Sequence, residues 1–151
     1  MIRIIAIGKK HEAWVAGGIE RYQKRLKKPF TVEWVLLPHS ARSGLEARHN
    51  ESQAILSRLD PSDFVVLLDE TGTMYDSPAF SRQLVAGFER GGAITMIIGG
   101  AYGVNDELQQ RAHVIWSLSS LVFPHQLVRL LLAEQIYRAQ EIAAGRPYHH
   151  K

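Results

Sequence analysis

The sequence contains no cysteine. Disulfides, thiolate nucleophiles and Cys-ligated zinc or iron–sulfur centres are therefore excluded, and the cytoplasm is the expected compartment. Long apolar runs are missing too. "FVVLL" and "LLLA" fall far short of the roughly 20 residues that a membrane-spanning helix requires, so no membrane partner is expected. The opening "MIRIIAIGKK" has too short an apolar stretch for a signal peptide and reads as a strand. Neither the G-x-G-x-x-G dinucleotide fingerprint nor a P-loop occurs. Hydrolysis also lacks its usual signatures, a nucleophile elbow or H-E-x-x-H. Charge is nearly balanced: 18 Lys and Arg against 15 Asp and Glu leave a net +3, a small tilt toward polyanionic partners.

What is present is the composition of a globular protein. Hydrophobic residues make up 46% of 151 and charged residues 22%, enough for one domain, residues 1–151, to bury a core without metal or disulfide support. Strand patterns fall at 3–8, 30–37, 63–69, 93–99 and 113–119. Helical patterns fall at about His11 to Lys27, Leu45 to Leu59, Ser77 to Arg90, 105–112 and Pro124 to Ala144. Ser77 reads as a helix N-cap with Pro78 at the first helical position, and "ETGTMYDSP" reads as a loop. Strand and helix alternate five times with no repeat or low-complexity linker. That alternation predicts an α/β fold with a parallel sheet covered by helices. Ligands of such folds bind at the carboxyl ends of strands, which singles out the loops after Asp69, after Ile98 and after Leu118.

Each of these loops has an unusual composition. In "TMIIGGAYGVND", Gly99, Gly100 and Gly103 follow a buried strand; they permit a tight turn or the close approach of a ligand. In "SLSSLVFPHQ", Leu121, Val122 and Phe123 stand where a connector should be polar. They either join the core or wrap an apolar, planar ligand. The helix after Pro124 is apolar on more than one face, which implies burial on two sides, one against the sheet and one against a subunit partner; a homodimer is expected. In the tail "GRPYHHK", His149 and His150 have no third ligand at helical spacing, so no metal is expected. The tail is either disordered or functional, since Tyr148 can stack on a base and His149 can donate, accept or shuttle a proton. Arg21, Lys24, Arg25 and Lys28, at 3-and-4 spacing with Lys9 and Lys10 just before, form either a solvated face or a contact to RNA backbone.

The segments "LLDETGTMYDSPAF", "IIGGAYGVND", "SLSSLVFPHQLVRLLLAEQIYRA" and "PYHH" closely resemble the signatures of the small SPOUT-class methyltransferases that modify N3 of a pseudouridine in 23S ribosomal RNA. The resemblance runs from Met1 to Lys151. Ala101-Tyr102 departs from the Pro-Glu or Ser-Asn that often follows the paired glycines in that family. The resemblance implies S-adenosylmethionine as methyl donor, a trefoil knot in roughly 65–151, a homodimer, and the ribosome as substrate, in the helix 69 loop of 23S rRNA. By matching positions, it implies donor contacts at Leu68, Gly100, Ser119, Ser120, Leu121, Val122, Phe123 and Pro124. Tyr148, His149 and Arg138 are then the residues expected to hold the target base and assist loss of its proton, with His125 as an alternative. Two other classes stay open on the residues alone: a non-catalytic RNA-binding dimer and a flavodoxin-like sensor of a small ligand.

Overall fold

The computed structural model describes residues 1–150. Five parallel strands form one sheet in the order β2-β1-β4-β3-β5, from β1 (Ile2–Ile7), β2 (Val32–Leu37), β3 (Phe64–Met74), β4 (Ile94–Ile98) and β5 (Val114–Ser117). The helices between them are α1 (Ala13–Gln23), α2 (Gly44–Leu56), α3 (Ser77–Glu89), α4 (Asp106–Arg111) and α5 (His125–Ala143).

The two-residue period of a strand sends alternate side chains to opposite faces. Ile2, Ile4 and Ala6 of β1, with Val66, Met96 and Ile98, pack with Phe80 and Leu84 of α3 and Leu132 and Ile136 of α5. Ile5 and Ile7, with Val65, Leu67 and Ile97, pack with Ile55 of α2 and Leu108 of α4. Both faces are covered, so β4 is buried at every residue. This is why "ITMII" reads as an apolar run interrupted only by Thr95 rather than as an alternation. Each large aliphatic side chain fully buried here contributes about 1.5–3 kcal/mol.

The broad apolar surface of α5 has an internal explanation. Ala133 packs against Val15 and Ile19 of α1, while α3 lies along another side of the helix. The helix is thus buried on several sides within one chain, and its breadth alone does not require a partner.

Three boundaries differ from the expectation. Strand β3 does not end at Asp69. Leu68 pairs with Trp116, and after a register shift Thr73 pairs with Trp116 again and Met74 with Ser117. Residues 69–72 are extruded between these pairings. Asp69 Oδ1 accepts from Thr71 N at 2.9 Å and from Thr71 Oγ1 at 2.6 Å, an Asx turn. Gly72 then passes so close to the Ile115 carbonyl that no Cβ could fit. Helix α3 is capped by Asp76, whose Oδ1 accepts from Ala79 N at 2.8 Å; Ser77 instead donates to Gln135 Oε1 of α5 at 2.7 Å. Helix α1 stops at Gln23 rather than near Lys27. Gln140 of α5 accepts from Lys27 N at 2.8 Å and donates to Arg25 O at 3.1 Å, pulling the chain into a turn that delivers Phe30 to the core. Of the basic residues expected on one helical face, only Arg21 is inside α1; Lys24 caps it, and Arg25 and Lys28 follow in the turn.

Candidate functional site

The carboxyl ends of β3, β4 and β5 surround a cleft of about 320 Å³. Leu68, Gly100, Ser119, Leu121, Val122 and Phe123 line it, together with Asp69, Glu70, Trp116 and His125. Ser120 and Pro124 do not; Pro124 is the N-cap of α5. The three loops singled out by composition therefore meet in one place. Ser117 Oγ donates to Ser119 O at 2.9 Å, and Ser119 Oγ accepts from Leu121 N at 3.0 Å. These bonds fix a turn that leaves Leu121 69% and Val122 78% exposed. The apolar loop is not core.

The glycines differ in purpose. Gly103 has φ +76°, the left-handed region that side chains resist. A Cβ on Gly99 would meet Val104 Cγ1 at 2.9 Å, and one on Gly100 would occupy the place of the Glu51 carboxyl group. Helix α2 holds this loop from behind: Arg48 Nε donates to Tyr102 O at 2.8 Å, and Ser52 Oγ accepts from Asn105 N at 2.9 Å. Nothing in the spacing of α2 had pointed to that role.

A second hollow, of about 610 Å³, shares Trp116, Leu118 and Phe123 with the cleft and is closed by Tyr75, Leu131, Gln135 and His149. On its α5 side the expected trio comes together. Arg138 Nη2 lies 2.8 Å from Glu134 Oε2, and Arg138 Nη1 lies 3.1 Å from His149 Nδ1. Tyr148 donates to Glu134 Oε2 at 2.9 Å, packs edge-on against Tyr137 at 4.8 Å and lies under the Arg138 guanidinium at 4.9 Å. The tail is thus docked onto α5. Glu134, which in sequence is only the i,i+4 partner of Arg138, is the hub of the group. The signal was present in that pairing, but its weight depends on the partial burial that the tail supplies.

Protonation follows from this wiring. An arginine has no acceptor, so His149 Nδ1 accepts and the neutral ring carries its proton on Nε2. Burial, reinforced by the bond to Glu134, pushes the Tyr148 phenol up to about 12, so it is a neutral donor near pH 7. The bond to Glu134 raises Arg138. Burial and the charge of Arg129 lower His125 in the cleft wall.

Arg129 was not anticipated. It is 1% exposed and bonds to the carbonyls of Ile7 at 2.9 Å, Gly8 at 3.2 Å and Lys10 at 3.1 Å. It ties α5 to the end of β1, and Gly8 at φ +123° leaves room for it. Among the described residues, no three His, Asp or Glu side chains converge as metal ligands, and no helix is long and apolar enough to cross a membrane.

A parallel α/β sheet with a side-chain-poor cleft at its carboxyl edge defines a class of small-ligand proteins. Comparison with known proteins narrows it. Residues 1–149 match the family described as predicted SPOUT methyltransferase. The chain is 40% identical over 152 residues to the ribosomal RNA large subunit methyltransferase H of Oleidesulfovibrio alaskensis, covering 99% of this chain and 98% of that protein. It is 42% identical over 148 residues to that of Acidiphilium cryptum, covering 98% and 92%, and 36% identical over 154 residues to that of Hahella chejuensis, covering 99% of both. The chain belongs to the SPOUT methyltransferase family, in the group of these H-type relatives.

Proposed function

We propose that this protein transfers a methyl group from S-adenosylmethionine to N3 of a pseudouridine in the helix 69 loop of 23S rRNA, acting on the assembled ribosome in the cytoplasm as a homodimer. One observation carries the reading: the cleft and the hollow that His149 closes share Phe123, Leu118 and Trp116 as lining, so a methyl carrier in the one and an acceptor base in the other would meet at a common border. The donor fits the residues present. Leu121, Val122 and Phe123 offer an apolar clasp for adenine, and Gly100 leaves the opposite side bare. The trefoil knot in roughly 65–151 belongs to the same proposal; the loops it would involve are those that meet at the cleft.

When bound, the donor supplies a methyl group on a sulfonium, whose transfer to N3 releases the N3 proton and leaves a thioether. The protein's part is alignment and exclusion of water, plus stabilisation of the charge that develops on the imide as its proton leaves. His149 Nε2–H and the Arg138 guanidinium are donors suited to the base oxygens, and Glu134 holds Arg138 in place. His149 in this tautomer is a donor rather than a base, so the proton passes to solvent. His125, on the cleft side, stays a wall residue.

RNA contact is supported by Lys9, Lys10, Arg21, Lys24, Arg25, Lys27 and Lys28, all exposed. The homodimer is supported by Met74, Leu121 and Val122, which leave apolar surface uncovered. The test is to incubate ribosomes from a strain lacking the enzyme with labelled donor and map the modified nucleotide. Label at a pseudouridine N3 is expected. Absence of donor binding by calorimetry would instead leave an RNA-binding dimer, and binding without transfer to ribosomes a small-ligand sensor.

A further inference from the structure

Glu51 belongs to α2, outside the segments that build the cleft, and is 6% exposed. One carboxylate oxygen, Oε2, accepts from Ser40 N at 2.9 Å and lies 4.0 Å from His39 Nδ1. The other, Oε1, is buried and has no hydrogen-bond partner among the described residues. It faces Gly100, filling the place where a Cβ would stand, and Gly100 lines the cleft. A buried acceptor left without a partner is costly, and a glutamine or an aliphatic residue at this point of α2 would avoid part of that cost. The cost is offset if a positive group comes to rest on the far side of Gly100.

The surroundings point the same way. Among the described residues lining the cleft, Asp69 and Glu70 are the only ones with a fixed charge, and neither lysine nor arginine is present. The chain as a whole carries +3. The lining itself is therefore acidic, with the Arg129 guanidinium set back behind His125, which disfavours a phosphate-bearing ligand and favours a cation. Gly100 lets the field through: a side chain there would displace the Glu51 carboxylate and put hydrocarbon between it and the cleft.

We propose that Glu51 is the buried counter-charge for the cationic part of the cleft's ligand, acting across Gly100 as a positioning residue, and that it makes the cleft select adenosyl compounds by their positive charge. This rests on the methyl-donor reading above. The natural donor carries a sulfonium and an ammonium against one carboxylate, S-adenosylhomocysteine carries an ammonium and a carboxylate, and 5′-methylthioadenosine carries no charge.

Calorimetric titration of the wild type, Glu51→Gln and Glu70→Gln with these three compounds tests the idea. Glu51→Gln retains an acceptor for Ser40 N, and its folding is checked by thermal melting without ligand. A charge pair several ångströms apart in surroundings of intermediate polarity is worth roughly tenfold in affinity or more. Glu51→Gln is expected to weaken S-adenosylmethionine about tenfold, S-adenosylhomocysteine less and 5′-methylthioadenosine not at all. The exposed Glu70→Gln should show the same grading at about twofold; should Glu51→Gln fail to fold, Glu51→Asp, which keeps the charge but withdraws it from Gly100 by one methylene, carries the test with a smaller loss graded in the same order. An equal loss for all three compounds, or undiminished binding of S-adenosylmethionine, overturns the inference while leaving the donor reading intact. A wild type that binds none of the three removes both.

Discussion

Phe123 separates two regions built by opposite rules. In the cleft, the polar lining residues Asp69, Ser117 and Ser119 bond only within their own turns, and Glu51 Oε1, behind Gly100, and Trp116 Nε1 are buried without partners. Beyond this common border, Glu134, Arg138, Tyr148 and His149 are joined by bonds of 2.8–3.1 Å between their polar atoms. The first region is unfinished and the second is already wired. Buried polar atoms without partners beside a cleft leave room for a ligand to complete them. A site whose groups hold one another is preorganised for charge that appears only during reaction. On the proposed function, the difference would place donor binding on one side and assistance of the chemistry on the other.

The sharpest way to break this division is His149→Ala. Loss of one preorganised donor typically costs about 10²- to 10³-fold in turnover. Here that loss is expected with donor affinity changed by less than about twofold, measured by single-turnover methylation of ribosomes beside calorimetry. Comparable losses in both quantities would merge the two regions into one. The converse substitution is Gly100→Ala. Its methyl group must displace the Glu51 carboxyl, so donor affinity should fall about tenfold, with near-normal turnover at saturating donor. A larger drop in turnover than in affinity would contradict the assignment.

A third substitution tests a surface belonging to neither region. Reversing Lys24 and Arg25 to Glu should leave donor affinity unchanged and weaken ribosome binding, with a small fall in melting temperature from acidic groups at the end of α1 and the lost contact of Arg25 with the Tyr137 ring. The slope of log affinity against log salt should fall by about 0.7–0.9 for each phosphate that the protein no longer neutralises. An unchanged slope would remove the turn after α1 from the RNA footprint.

The two regions were also unequally legible. Gly99, Gly100 and the apolar Leu121–Phe123 segment announce themselves, because glycines after a buried strand and hydrophobic residues in a connector both violate what a plain loop would carry. The alternation of the strands is equally local, and their parallel pairing follows from it. The rest depends on contacts distant in sequence. Glu51 lies 49 positions before Gly100 and reads as an ordinary polar residue of a helix. Arg129 reads as one charge among leucines until the β1 carbonyls close on it. The end of α1 is set by Gln140, more than a hundred residues away, which no capping signal near Lys24 could reveal. The extension of β3 beyond Asp69 was hidden for a related reason: "ETGTM" has loop composition, and only pairing with Trp116 and Ser117 makes part of it strand.

The smallest expected effect concerns how firmly the wired region is held. Tyr148→Phe removes only the bond to Glu134 Oε2, while the ring can keep its edge-on contact with Tyr137. The cost should be about 1 kcal/mol of stability and a severalfold loss of turnover, well short of that for His149→Ala. The pH dependence identifies the group. In the folded protein the phenol is raised from 10 to about 12, so the folded state holds this proton more tightly than the unfolded chain does. Its contribution is fully present below about pH 10 and is lost as pH rises toward 12. Thermal melts between pH 9 and pH 11.5 should show the wild type losing its advantage over Tyr148→Phe across that window. Parallel curves for the two proteins would mean that the tail is not docked on α5 in solution, and the preorganised side of the comparison would lose its anchor.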